Sequence, residues 1–192
     1  MSIKINFGDE ISWENHIQEI LNSGNIIYYN SNYKPEKIKK LKEYKKNGKV
    51  LDCGCHIGRW INVFIKNGYD YTGIDQSSHA IKIAKIYQPN GKFIHSFLWE
   101  MNFKEEFDIL FTNAVLQHNT LEEQNKILPK MYQALKSNGI LYITESTVFE
   151  ETNTQRTYNG WINFIENHGF KFMESFHKNN IDLEDNYIFI KQ

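Results

Sequence analysis

The residues best suited to chemistry cluster where a short strand hands over to a helix. Val50 to Arg59 read Val-Leu-Asp-Cys-Gly-Cys-His-Ile-Gly-Arg. Gly54 lets the main chain approach a ligand with no Cβ in the way, and the helix N-terminus beyond it offers N–H groups to a polar or anionic group. Twenty-one residues after Gly54, Asp75 closes the run Tyr71-Thr72-Gly73-Ile74-Asp75. From that position an acidic side chain accepts hydrogen bonds from the two hydroxyls of a ribose. The spacing therefore points to a ligand with an adenosine-like nucleoside. A dinucleotide loop would want glycine at 54, 56 and 59, but His56 and Arg59 hold two of those places. Close approach of a pyrophosphate would be obstructed, so a cofactor without phosphates fits better.

The elements that must carry these residues follow from the hydrophobic pattern. From Lys49 onward, short β-branched or aromatic runs alternate with helical stretches, as in a parallel sheet with crossover helices. Lys49–Cys53 reads as the first strand, Gly58–Asn67 as a helix stopped by Gly68, and Tyr69–Asp75 as the second strand. Ser77 or Ser78 caps a helix to about Tyr87, and Lys92–His95 is a brief third strand. Phe107–Thr112 is apolar almost throughout, which predicts a central strand covered on both faces. Leu121–Lys136 reads as the longest helix, Ile140–Thr144 as the fifth strand, and Tyr158–His168 as a further helix. Phe170–His177 and Asn186–Ile190 are joined by a loop too short for a crossover helix, so they should form an antiparallel hairpin.

Upstream, Asp9–Asn22 has helical spacing of Ile11, Ile17, Ile20 and Leu21, and Pro35 opens another helix with Ile38, Leu41 and Tyr44 on one face. Eight lysines lie between Lys34 and Lys49 against Glu36 and Glu43. Such a run reads as a solvated helix face. The expected organisation is a single domain with an N-terminal helical extension ahead of its core.

Composition narrows the classes. Aromatics make up 15% of the 192 residues and there are three prolines, which excludes disordered and low-complexity architectures. A net charge of -1 argues against a nucleic-acid-coating protein. No 18-residue apolar run is present to span a bilayer, and Met1–Glu10 lacks the apolar core of a secretory signal, so the expectation is a cytoplasmic protein with reduced Cys53 and Cys55. Cys53, Cys55 and His56 lack the second ligand pair that a tetrahedral metal site needs, and no metal is expected. His79, His95, His168 and His177 are scattered and read as surface or satisfied core residues.

Val50–Arg59 resembles motif I of the class I S-adenosylmethionine-dependent methyltransferases, of the form hydrophobic-Leu-Asp-x-Gly-Cys-Gly-x-Gly-Arg, with His56 in place of the second glycine. Tyr71–Ser77 resembles the acidic ribose-binding segment, Phe107–His118 the fourth-strand block with its trailing Val-Leu-x-His, and Leu135–Ile143 the turn into strand five. The order and spacing of these segments, with the terminal hairpin, imply an α/β Rossmann-like doubly wound sheet. Seven mostly parallel strands with an antiparallel terminal strand would form the middle layer of a three-layer αβα sandwich.

The resemblance implies S-adenosyl-L-methionine as cofactor and S-adenosyl-L-homocysteine as product. Asp52 would hold the loop and the amino-acid part, Gly54, Cys55 and Gly58 would offer backbone contact, Asp75 would clamp the ribose, and Gln76 would flank it. Ser96, Phe97 and Leu98 fall where adenine-contacting residues lie, and Asn113 falls where the cofactor's methionine part and the acceptor meet. For a hydroxyl acceptor a base must take a proton, and His118 and Glu145 stand at the carboxyl edges of central strands. His16, Tyr28, Tyr29 and Tyr33 belong to the extension.

The absence of an Asn-Pro-Pro-Tyr segment after strand four, where the chain reads Thr112-Asn113-Ala114-Val115, lowers nucleobase methylation. A small-molecule acceptor, a sugar or another polar metabolite methylated on oxygen, is the expectation. RNA or protein acceptors, a nicotinamide-dependent oxidoreductase and a non-catalytic nucleoside- or nucleic-acid-binding module are the alternatives.

Overall fold

The computed structural model describes residues 35–177 and 184–192, together with Asn15, Gln18, Glu19 and Asn22. Those four positions are helical and exposed. The rest of the predicted helix at 9–22 lies outside the described residues, as do His16, Tyr28, Tyr29 and Tyr33.

Seven strands form one sheet: β1 (Gly48–Cys53), β2 (Tyr69–Asp75), β3 (Lys92–His95), β4 (Phe107–Asn113), β5 (Leu135–Ser146), β6 (Phe170–His177) and β7 (Glu184–Lys191). Their order is β3-β2-β1-β4-β5-β7-β6. The ladders from β3 through β5 are parallel, while β7 runs antiparallel to both β5 and β6. The chain winds outward in one direction from β1 through β3 and in the other from β4 through β5. The carboxyl ends of β1 and β4 therefore flank the switch point where α/β sheets open a ligand crevice.

Two helical layers cover the sheet. On one face α1 (Pro35–Tyr44), α2 (Ile61–Lys66) and α3 (Ser78–Tyr87) bring Ile38, Leu41, Phe64 and Ile81 against Val50, Ile109, Phe111 and Tyr142. On the other, α4 (Leu121–Ala134) and α5 (Tyr158–Glu166) set Ile127, Leu128, Met131, Trp161 and Ile165 against Leu51, Leu110, Leu141 and Ile143. With helices on both sides, β4 has no solvent face, which is why its sequence is apolar rather than alternating. Ser77 caps α3 by accepting from the Ala80 amide, and Thr120 and Glu123 form a reciprocal capping box on α4. Among the described residues no helix is long and apolar enough to cross a membrane.

Among the boundaries that differ from the sequence expectation, two have a local physical cause. The helix after β1 starts at Ile61 rather than Gly58, because Gly58 (φ 77°) closes a tight turn by donating its amide to the Cys55 carbonyl. Helix α4 stops at Ala134, and Leu135 already pairs with Phe107. The ladder then shifts register before Ile140 meets Ile109, with Asn138 (φ 59°) taking the left-handed conformation in the irregular stretch.

Candidate active site

The loop after β1 is held by hydrogen bonds to β2. The amides of Gly54 and Cys55 both donate to the Ile74 carbonyl, at 2.8 and 3.0 Å. His56 takes up φ 53°, the left-handed conformation that favours glycine, and its amide donates to Asp75 Oδ2 at 2.8 Å. The Ser77 amide donates to Asp75 Oδ1 at 2.9 Å. Asp75 thus ties the β1 loop to the start of α3 through both carboxylate oxygens. The histidine at the second glycine position of the motif leaves the backbone course of a glycine loop intact. Close packing accounts for Gly54, since a Cβ there (φ 76°) would lie 2.6 Å from a Val115 methyl.

This arrangement tests which ligand the crevice fits. The amides of Gly54, Cys55, His56 and Gly58 all have acceptors within the protein, so these four do not form a nest for a pyrophosphate. Each Asp75 oxygen, by contrast, keeps a second lone pair for a hydroxyl, and the residue is only half-buried. The donor and acceptor set fits a nucleoside carrying no phosphate.

Electrostatics at this end are dominated by burial. Asp52 is 1% exposed and accepts from the Tyr71 hydroxyl at 2.7 Å. Burial pushes its carboxyl up to about 7, against the opposing pull of Tyr71 and Arg59. Asp75 is also raised by burial, opposed by the Ser77 and His56 amides. Cys53 and Cys55 are free, buried thiols, and burial pushes both well above the ordinary thiol range. They are not poised as nucleophiles. Among the described residues no cluster of three or more His, Cys, Asp or Glu side chains could hold a metal.

At the carboxyl ends of β2 and β3, the Ser96 amide donates to the Asp75 carbonyl at 3.1 Å. His95 Nε2 donates to the Gln76 carbonyl at 2.9 Å. Leu98 is buried, whereas Phe97 is 38% exposed and stacks on Trp99 with centroids 4.6 Å apart. Ser96, Phe97 and Gln76 are therefore gathered beside Asp75, with an aromatic face at the rim.

At the carboxyl ends of β4 and β5 the polar groups are bound more tightly. Lys37 Nζ, on the first turn of α1, donates to Asn113 Oδ1 at 2.6 Å and to Thr144 Oγ1 at 2.7 Å. Thr144 and Tyr142 in turn donate to Asn186 Oδ1 on β7, each at 2.9 Å. The fully buried Glu145 accepts from three amides: Val115 (3.1 Å) and Leu116 (2.9 Å) on Oε1, and Gln117 (3.0 Å) on Oε2. It thereby shapes the 3-10 turn Leu116–His118. His118 is half-buried on that turn, and burial lowers its imidazole below the usual range, which keeps it neutral at pH 7. The buried Gln124 donates to the Leu116, Asn119 and Thr154 carbonyls and accepts from Arg156, clasping the turn to the loop after β5.

Sequence reasoning placed the lysine run in solvent, yet Lys37 is 2% exposed. The signal for it was its helical phase: Lys37 precedes Ile38 and lies one turn before Leu41, on the apolar face. Tyr71, Gln124 and Arg156 were missed as well, because their partners lie 19 and 32 residues away in sequence.

The description "Methyltransferase domain" belongs to the family model that matches residues 44–180, well over half of the chain. Over 118 residues the chain is 32% identical to the phosphoethanolamine N-methyltransferase of Plasmodium falciparum (isolate 3D7), covering 58% of this chain and 44% of that protein. Over 121 residues it is 30% identical to the arsenite methyltransferase of Rattus norvegicus, covering 54% of this chain and 32% of that protein. The chain thus spans about a third to a half of the length of these relatives. In structure it resembles a TehB-like SAM-dependent methyltransferase from Corynebacterium glutamicum, with a TM-score of 0.73 at 19% identity, over 96% of this chain and all of that one. It also resembles the 1,6-didemethyltoxoflavin-N1-methyltransferase of Burkholderia thailandensis, solved with 1,6-didemethyltoxoflavin and S-adenosylhomocysteine, with a TM-score of 0.74 at 14% identity, over 94% of this chain and 87% of that one. Those two likenesses establish the fold. With the family match across its core and the strand order of its sheet, the chain belongs to the methyltransferase domain family.

Proposed function

We propose that this chain binds S-adenosylmethionine across the carboxyl ends of β1, β2 and β4 and passes its methyl group to an oxygen of a small polar acceptor. The observation that carries the reading is Asp75. Its two oxygens are oriented by the His56 and Ser77 amides, and the neighbouring loop amides are satisfied internally, which suits a ribose and disfavours a pyrophosphate. Asp75 takes the ribose hydroxyls. Asp52 and the Gly54–Gly58 loop shape the amino-acid end, and Gln76, Ser96, Phe97 and Leu98 border the base. Asn113 stands at the methyl end.

When bound, the cofactor supplies a methyl group on a positively charged sulfur. The protein's task is to hold acceptor oxygen, methyl carbon and sulfur in line, which is where much of the acceleration of such a displacement comes from. Glu145, with its carboxylate engaged by three amides, positions the turn that bears His118. Two oxygen nucleophiles suit this end of the cleft. For a hydroxyl such as a sugar's, the neutral His118 imidazole is the base. A carboxylate has no proton to lose. Phosphoethanolamine, arsenite and didemethyltoxoflavin, the compounds named for similar proteins, are all small molecules and support an acceptor of that size.

Calorimetry tests the reading. The protein should bind S-adenosylhomocysteine in the micromolar range, and Asp75→Ala should weaken binding by about tenfold or more through loss of hydrogen bonds at a desolvated site. Absence of binding to the wild-type protein would overturn the cofactor assignment. Unchanged affinity in Asp75→Ala would overturn the role given to that carboxylate.

A further inference from the structure

The buried lysine of α1 narrows the class of acceptor. Lys37 lies between the rings of Trp60 and Tyr142, 5.6 and 6.0 Å from their centroids, with its Nζ on Asn113 Oδ1 and Thr144 Oγ1. An ammonium only donates, so the Asn113 amide has one orientation: its oxygen faces Lys37 and its NH2 group faces away. Asn113 is half-buried at the end of β4, and its Nδ2 makes no hydrogen bond among the described residues. The cleft edge therefore carries a donor amide, its oxygen engaged from behind by the Lys37 Nζ. Thr144 adds no acceptor of equal reach, since its hydroxyl takes a hydrogen bond from Lys37 and gives its proton to Asn186. Glu145, the carboxylate nearest in sequence, is held by three amides. This wall suits an acceptor that brings lone pairs and needs no proton removed.

We propose that the acceptor is a small carboxylate, one oxygen held by Asn113 Nδ2 while the other attacks the methyl carbon, and that Lys37 is the positioning residue that fixes the Asn113 amide for this task. The inference rests on the methyltransferase reading above. In the step, a C–O bond forms as the C–S bond breaks, and the C–S electron pair stays on sulfur. The carboxylate's negative charge and the sulfonium's positive charge cancel, no proton moves, and the products are a methyl ester and a neutral thioether.

The test uses the full chain and a panel of small mono-, di- and tricarboxylic acids, each paired with its primary amide. Methyl transfer is followed as S-adenosylhomocysteine release, and S-adenosylhomocysteine affinity is measured on the same proteins. The wild type should methylate acids in preference to their amides. Lys37→Met should raise KM for the acid by about tenfold or more, leave kcat within about threefold, and leave S-adenosylhomocysteine affinity within about twofold, the pattern of a lost binding interaction. Asn113→Leu, which keeps the lysine, should raise KM equally and serves where Lys37→Met fails to fold. In the wild-type S-adenosylhomocysteine complex, the Asn113 NH2 resonances should shift on addition of the acid, and in Lys37→Met that response should vanish.

Preference for the amides, no acid methylated, an unchanged KM in both variants, or, in Lys37→Met, cofactor affinity lost in step with the rise in KM overturns the inference. A wild-type protein that binds S-adenosylhomocysteine but methylates none of the acids defeats this inference alone. One that binds no S-adenosylhomocysteine defeats the underlying reading, and the inference with it.

Discussion

The Tyr71 hydroxyl donates to Asp52 Oδ2 at 2.7 Å from the neighbouring strand, and both residues are buried. Burial holds the Asp52 carboxyl near 7, whereas an ordinary aspartate has the value 3.8. Between about pH 4 and 7 the folded chain therefore keeps a proton that the unfolded chain has released, so this group's contribution to stability falls as pH rises through that window and is level above it. Asp75, also raised, acts in the same direction. Thermal unfolding of the ligand-free protein, compared with Asp52→Asn, should show the wild type losing ground as pH rises from about 4 to 7. Parallel pH profiles for the two proteins would contradict the assignment.

Glu145, itself buried, satisfies three backbone donors, the Leu116 amide fully buried and the Val115 and Gln117 amides partly so. Glu145→Ala strands them and should cost about 2–4 kcal/mol in urea unfolding, since each buried donor left unpaired carries a desolvation penalty. Glu145→Gln, which keeps one acceptor oxygen, should fall between the two. A loss below about 1 kcal/mol in Glu145→Ala would mean that water takes over the amides and the turn does not depend on the carboxylate.

His56 shows what its position demands. Because φ is 53° there, glycine should be accommodated, and His56→Gly should keep S-adenosylhomocysteine affinity within about threefold. A β-branched residue resists the left-handed conformation, so His56→Val should lose about tenfold or more. The opposite ranking would show that the imidazole, rather than the backbone, is what the loop uses.

The pH dependence of turnover separates the two nucleophiles. A hydroxyl whose proton goes to His118 would give a rising limb below the ordinary histidine value of 6.5, where burial places that imidazole. With a carboxylate acceptor no proton leaves, and kcat at saturating substrates should stay within about threefold from pH 5 to 8. A steep histidine limb with an acid as substrate would count against the carboxylate assignment.

Much of the fold was legible because its signals are local. The Phe107–Thr112 run is apolar almost throughout, and Gly68, read as a helix stop, does take positive φ, at 87°. The short polar connection between Phe170–His177 and the last strand required an antiparallel pair, and β6 and β7 form one. The early start of β5 was not legible, since Leu135 joins the sheet through a partner, Phe107, distant in sequence. The lysine run hid Lys37 for a similar reason. Composition described the average of eight lysines, whereas which one turns inward depends on Asn113 and Thr144, 76 and 107 residues away. Glu145 could be read as a base because its position at a strand end is visible in the chain. That its oxygens face the amides of residues 115–117 is a property of the folded turn.

The reversed strand has a consequence for assembly. β6 meets the sheet only through β7, and β7 supplies Asn186, whose Oδ1 accepts hydrogen bonds from both Tyr142 and Thr144. β6 therefore has no partner in the sheet until β7 has docked on the β5 edge. On a growing chain the five parallel strands can gather first, leaving the β5 edge and two buried-to-be hydroxyls wet until the hairpin arrives. That interval is when an exposed parallel edge is most open to mispairing, and a holding chaperone would find its grip there.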